Sequence, residues 1–175
     1  MDFATRRAFT LLELIIALAI SAIVIGLAAP SMAEVYRKHQ LNAYQSDLMR
    51  LIVQARHQAL SNGKRVTVCA MDNQGRCVSL NVGILHSFED VNGNRILDPG
   101  ETLLYTLPIP NHMRVSWGGT NPKHSLHFSA QGTTFLSNGS FTLCHQARLD
   151  RHGRLTLSKQ GRARMELRDG SCPLS

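Results

Sequence analysis

The chain has 175 residues, 43% of them hydrophobic and 18% charged, which is enough for one globular domain with a stretch to spare and too apolar for a disordered chain. Lys and Arg number 19 against 12 Asp and Glu, a formal charge of +7, pointing to an anionic partner such as nucleic acid or a membrane surface. The four cysteines, Cys69, Cys77, Cys144 and Cys172, form no C-x-x-C pair, so disulfides in an oxidising compartment are expected ahead of a zinc site or a redox pair.

Residues 9–29 contain a single ionisable side chain, Glu13. As a helix they would run about 31 Å, against a hydrocarbon core of about 30 Å, so one membrane span fits. Arg6 and Arg7 precede the run, which keeps the N-terminus cytoplasmic and sends the rest across. A central carboxylate costs ~2.5 to 3.5 kcal/mol on insertion scales, and no Lys or Arg lies within the span to pair with it. An ordinary secretory signal peptide would leave Glu13 unexplained.

The run Arg6-Arg7-Ala8-Phe9-Thr10-Leu11-Leu12-Glu13-Leu14 resembles the prepilin motif of type IV pilins and type II secretion pseudopilins. The resemblance implies that a prepilin peptidase removes a leader, residues 1–8, after Ala8. The new terminus at Phe9 is then methylated and the helix joins a filament core. Glu13 would pair with the Phe9 amine of a neighbouring subunit, setting register as a buried charge pair does. The residue before the cut is usually Gly in that family and here is Ala8.

After Pro30, which removes a helical hydrogen bond and predicts a kink, Leu41, Tyr44, Leu48, Leu51, Ile52, Ala55 and Ala59 recur at helical spacing. Asn62-Gly63 suits a left-handed C-terminal cap. Residues 9–62 are thus predicted to form a rod of roughly 80 Å, with 30–62 its amphipathic half. The polar face, with Arg37, Lys38, Arg50, Arg56 and His57 interspersed with Glu34 and Asp47, reads as a solvated face or filament contact rather than a DNA-binding helix.

Residues 63–175 read as a β domain, with strands predicted at 65–70, 77–82, 102–107, 113–117, 140–144, 154–158 and 164–167. The expected fold class is α+β: a type IV pilin-like long N-terminal helix packed on a mostly antiparallel sheet. Cys69 and Cys77 lie symmetrically about Asn73, so a hairpin centred there places them opposite one another, leaving Cys144 for Cys172. Two other connectivities remain open at this point. A Cys hairpin, an acidic loop and a C-terminal Cys after a Gly-Arg-x-Arg element together resemble the FimT and GspH branch of minor pilins.

Two further patterns are weighed and set aside. Asp90, Asn92, Asn94, Asp98 and Glu101 occupy EF-hand positions 1, 3, 5, 9 and 12. Arg95, however, stands where the sharp turn wants Gly, and no helices flank the loop, so a polar hairpin loop is expected ahead of a calcium site at these five residues, and no cofactor is assigned. His124-x-x-His127 lacks a third metal ligand and both residues are read as surface. No G-x-S-x-G, P-loop or dinucleotide fingerprint is present, and an enzyme is not expected.

The charge excess lies in the tail: residues 144–175 hold seven Lys and Arg against three Asp and Glu, a net +4. Candidate DNA-contacting residues are Arg148, Arg154, Lys159, Gly161, Arg162 and Arg164. Gly161 permits a tight turn with backbone close to a ligand, and Arg162 and Arg164 share a face if the segment is extended. Forked guanidinium donors match phosphate oxygens without reading bases. Few aromatics lie alongside in sequence, so base stacking is not expected to dominate. In FimT-like minor pilins a Gly-Arg-x-Arg element near the C-terminus is associated with DNA binding in natural transformation.

The resemblance therefore implies an inner-membrane single-pass protein with a periplasmic C-terminal domain. It would enter a cell-surface pilus, partner with other pilins and bind extracellular double-stranded DNA. The rival readings are a structural minor pilin that initiates assembly, a type II secretion pseudopilin, and an adhesin.

Overall fold

A computed structural model of the chain describes residues 10–79, 83–119, 124–135 and 137–173, and the backbone alone at 27–31 and 148–150. The leader, Ala8 and Phe9 lie outside the described residues. The first element is a helix, α1 (Leu11–Asn62), which continues through Pro30 without a break. The Thr10 hydroxyl accepts the Glu13 N–H (3.3 Å), an N-cap that satisfies one of the orphan donors of the first turn. Glu13 itself lies in that turn, where the positive end of the helix dipole favours a carboxylate. This local role accompanies whatever partner it finds in an assembly.

The chain divides into two units at Lys38/His39. In the first, every described side chain of α1 from Leu11 to Gly26 is exposed. Among the described residues no helix is long and apolar enough to cross a membrane.

In the second unit the expected stripe is buried: Leu41, Tyr44, Leu48, Leu51, Ile52, Ala55 and Ala59 all belong to the hydrophobic core. Gly63 ends α1 at φ +62°, the left-handed conformation that a C-terminal cap needs and glycine adopts without a Cβ penalty. The Asn62 amide and the Lys64 ammonium both donate to the buried Glu89 carboxylate (2.7 and 2.8 Å). The Lys64 partnership holds the Glu89 carboxyl below its ordinary range.

Where one sheet was expected, the strands form two. The first holds β1 (Val66–Met71), β2 (Cys77–Val78), β3 (Ile84–Glu89), β4 (Leu103–Pro108) and β6 (Leu126–Phe128), in the order β2-β1-β3-β4 with β6 also paired to β1. The second holds β5 (Met113–Gly119), β7 (Gly139–His145), β8 (Arg148–Leu157) and β9 (Ala163–Asp169), in the order β5-β7-β8-β9. All pairings are antiparallel. Neither β3 nor β6 was expected from the sequence. The predicted strand at 77–82 shrinks to Cys77–Val78, with residues 80–82 outside the described set, and β8 starts six residues before its predicted 154.

The disulfides are Cys69–Cys77 and Cys144–Cys172, with Cα separations of 5.5 and 6.1 Å. The first closes the β1–β2 hairpin, whose ladder is centred on Gln74 rather than Asn73, so that Cys77 faces Met71 and the disulfide to Cys69 runs diagonally; the second ties the chain beyond β9 to β7.

Helix and second sheet meet through a polar contact inside the apolar one. Gln45 is buried and its side-chain amide donates to the backbone carbonyls of Arg154 and Glu166 (3.4 and 3.1 Å). Gly153 makes room for it, since a Cβ there would stand 3.2 Å from the Gln45 side chain. The amide thereby joins β8 and β9 to α1 with its donors satisfied.

Candidate nucleic-acid interface

The sequence contains the tetrad Ser-x-Gln-Gly twice, as Ser129-Ala130-Gln131-Gly132 and Ser158-Lys159-Gln160-Gly161. Both fold into the same turn. In each, the glycine N–H donates to the serine carbonyl (2.8 Å in both), and the serine N–H donates to the carbonyl of the residue after the glycine, Thr133 (2.8 Å) or Arg162 (3.0 Å). That residue's N–H in turn donates to the serine hydroxyl (3.3 and 3.2 Å). Gly132 at φ +70° and Gly161 at φ +76° supply the left-handed residue of a three-residue hairpin with a glycine bulge.

The two turns press against each other. A Cβ on Gly161 would lie 2.1 Å from the Gly132 carbonyl oxygen and 3.0 Å from Arg56 Nε. The close approach that Gly161 permits is therefore to the protein's own backbone, not to a ligand as the sequence suggested. Arg56 bridges the pair, donating from Nε to the Gly132 carbonyl (3.0 Å) and from Nη2 to the Gln160 carbonyl (3.1 Å). This helix cation, expected to be a solvated or filament-facing group, acts as a clamp. From the other side Thr134 and Phe135 N–H both donate to the Lys159 carbonyl (3.0 and 3.3 Å), and the Thr134 hydroxyl donates to the Ser158 carbonyl (2.8 Å).

The candidate cations divide into two groups along this sheet. Arg151 pairs with Asp169 (3.0 Å) and Arg168 with Glu166 (2.9 Å), so charge is neutralised towards the far end of β9. At the turn, Lys159, Arg162 and Arg164 are exposed and make no ion pair among the described residues. Arg164 faces Thr156 and Arg154 faces Glu166 across the β8–β9 ladder, which places Arg154 and Arg164 on the same face. Arg154 is half-buried and unpaired among the described residues. For Arg148 only the backbone at the start of β8 is described. Below the turn, Met49, Ile52, Val53, Arg56, Gly161, Arg162 and Ala163 line a shallow cavity of about 190 Å³.

The EF-hand-like loop is closed by its own residues. Asp90 is fully buried; it accepts the Thr67 hydroxyl (2.6 Å) and the Arg95 N–H (3.4 Å), with Arg65 Nε at 3.7 Å. Asn92 and Asn94 turn their amide donors to Asp98 (2.8 and 2.7 Å), while Glu101 accepts the N–H groups of Val91 and Asp98. Arg95 adopts φ +64°, the geometry for which the motif uses glycine. Among the described residues no group of three or more His, Cys, Asp and Glu is placed to hold a metal.

His127, expected at the surface, is instead half-buried on β6 against this loop, while His124 is exposed and contacts Ser79 (3.2 Å). Burial, then the nearby Arg65 and Arg95 guanidiniums, push the His127 ring down to about 4, with Asp90 opposing.

Two outcomes follow. Gly161→Ala adds both an unfavourable left-handed φ and a clash with fixed backbone, and is expected to destabilise the fold by ~1 to 3 kcal/mol in urea unfolding; unchanged stability would contradict the turn-on-turn contact. For His127 the folded state resists a proton that the unfolded chain accepts near pH 6.5. Stability is thus full above that pH and falls progressively as pH drops towards 4. His127→Asn is expected to flatten part of that acid loss; identical pH profiles would contradict the assigned environment.

Comparison with known proteins fits this geometry. The family model Type II transport protein GspH matches residues 45–161, and the prokaryotic N-terminal methylation motif matches residues 4–29. Arg162 and Arg164 thus fall just beyond the domain match. A search of curated proteins returns no match. Among solved structures, the type IV minor pilin FimU of Pseudomonas aeruginosa is similar with 18% identity and a TM-score of 0.56, over 74% of this chain and 90% of that one. The minor pseudopilin EpsH from the Type 2 Secretion System of Vibrio cholerae is similar with 11% identity and a TM-score of 0.52, over 72% and 95%. Pilins with the methylation motif are anchored by an N-terminal helix, processed by a prepilin peptidase and assembled with other pilins. By its domain and its N-terminal motif together, the chain belongs to the GspH family and is a minor pilin or pseudopilin of a type IV pilus or type II secretion system.

Proposed function

We propose that this protein is a minor pilin of a type IV pilus that binds extracellular double-stranded DNA during uptake in natural transformation, through the β8–β9 turn and the start of β9. The observation that carries this reading is the set of three exposed cations, Lys159, Arg162 and Arg164, at one end of a sheet where Arg151 and Arg168, farther along, are paired with carboxylates. Unpaired guanidinium groups on a rigid turn match phosphate oxygens at little ordering cost. They carry no base code, so binding is sequence-tolerant. Arg154 extends the same face.

Before assembly the protein resides in the inner membrane with its C-terminal domain in the periplasm. Cleavage after Ala8 frees Phe9, whose ammonium pairs with Glu13 of a neighbouring subunit. A second reading, a structural minor pilin or type II secretion pseudopilin without DNA contact, is favoured by the extent of the GspH match, which ends before Arg162. Deletion separates them. Loss of every pilus, or of secretion with pili intact, supports the second reading, and loss of DNA uptake with pili intact supports the first.

With two or three phosphates neutralised, affinity for a duplex is expected to fall about 10- to 40-fold between 50 and 200 mM salt. In the Arg162→Gln, Arg164→Gln variant of the full chain in detergent, affinity should drop and the salt slope should flatten by about two. Equal binding and equal slope in a gel-shift titration would remove the site.

A further inference from the structure

Phe135 combines three features that no packing role in this chain explains. Its side chain is 72% exposed, against 0% and 1% for Phe128 and Phe141 in the same domain. Its backbone sits at φ +40°, a conformation that is an outlier for a bulky residue and costs of the order of 1–3 kcal/mol unless its surroundings enforce it. And its N–H is bonded to the carbonyl of Lys159 (3.3 Å), so the backbone that carries the ring is tied to the turn that presents Lys159 and Arg162. The strained backbone is held by the network already described: Thr134 on Ser158 and Lys159, Gly132 against Gly161, and Arg56 across both turns.

An exposed aromatic ring on backbone tied to a cation-bearing turn offers the two elements by which proteins hold single-stranded nucleic acid. The cations follow the backbone, and an unpaired base stacks on the ring whatever its identity. A duplex keeps its bases stacked inside and offers the ring nothing comparable. We infer that Phe135 is a stacking platform for an unpaired nucleobase, so that the twin-turn surface binds single-stranded DNA, including the frayed end of a duplex, through Phe135 together with Lys159 and Arg162. The chain position of Phe135, more than twenty residues before the basic turn, explains why a count of neighbouring aromatics in the sequence missed it. The inference rests on the DNA-binding reading above and adds strand preference to it.

The test is fluorescence anisotropy of the full chain in detergent with three labelled probes: a 12-nucleotide oligo-dT, the same strand made abasic, and a 12-base-pair duplex. Wild type is expected to bind oligo-dT about 5- to 150-fold more tightly than the abasic strand. Phe135→Ala should remove that advantage while changing duplex affinity less than about 2-fold. Phe135→Trp should restore it. The abasic strand has the same charge, so its comparison with wild type needs no variant and is independent of folding. Equal affinity of wild type for oligo-dT and its abasic counterpart, or an equal loss for duplex and single strand in Phe135→Ala, would overturn the platform. If those results occur while Arg162→Gln, Arg164→Gln still loses duplex binding, the platform fails and the DNA-binding reading stands. If wild type binds none of the probes, both fail.

Discussion

Burial of a single stripe of α1, from Leu41 to Ala59, is the constraint on which the rest of this structure depends. At Ala55 and Ala59 the stripe narrows to methyl groups with no exposed surface. Arg56, next to Ala55 in the chain, is carried by the same burial to the two turn carbonyls it bonds. A helix residue and two loops separated from it by 76 and 104 positions are thus held together by one guanidinium. That guanidinium is only half-buried and so keeps its charge without the full desolvation cost of a deep site. The apolar stripe fixes where the clamp sits, and the clamp fixes where the free cations and the exposed ring point.

The same logic explains the division of labour among the basic residues. Seven cations in the last 32 residues look equivalent in composition, yet the fold assigns them different work. Arg151 and Arg168 are held by carboxylates on β9, where strand pairing keeps partners within reach. Lys159, Arg162 and Arg164 sit at the turn and the first residues of β9 and make no ion pair among the described residues, Glu166 being held by Arg168. A contact made by unpaired charge at a strand end avoids the cost of breaking existing ion pairs before an anion is bound.

Much of the fold was legible because it is periodic or local. The α1 stripe, the Gly63 cap and the Cys69–Cys77 pairing follow from local spacing, although the hairpin register is one residue off the expected centre. The division into two sheets was not legible. β6 is three residues long, and Val66, Thr67 and Val68 of β1 serve both β3 and β6, a sharing that no local pattern announces. Gly161 was rightly read as a turn residue, but its close neighbour proved to be Gly132, because turn-to-turn contact is a tertiary fact. One signal was available and went unused: the repeated Ser-x-Gln-Gly tetrad marks both turns in the sequence. The acidic loop has an ion-binding spacing, and its oxygens accept from Thr67 and from its own amides, with Arg65 alongside, partners that spacing does not reveal.

In the proposed reading, DNA meets this protein at the paired turns and the adjoining face of β8 and β9. Hydrogen exchange of the full chain in detergent, with and without a 30-base-pair duplex, measures this directly. The account predicts slowed exchange at 129–135 and 158–164, with residues 90–101 and the exposed face of α1 unchanged. Protection confined to α1 or to residues 90–101, with the two turns exchanging as they do without DNA, would contradict it.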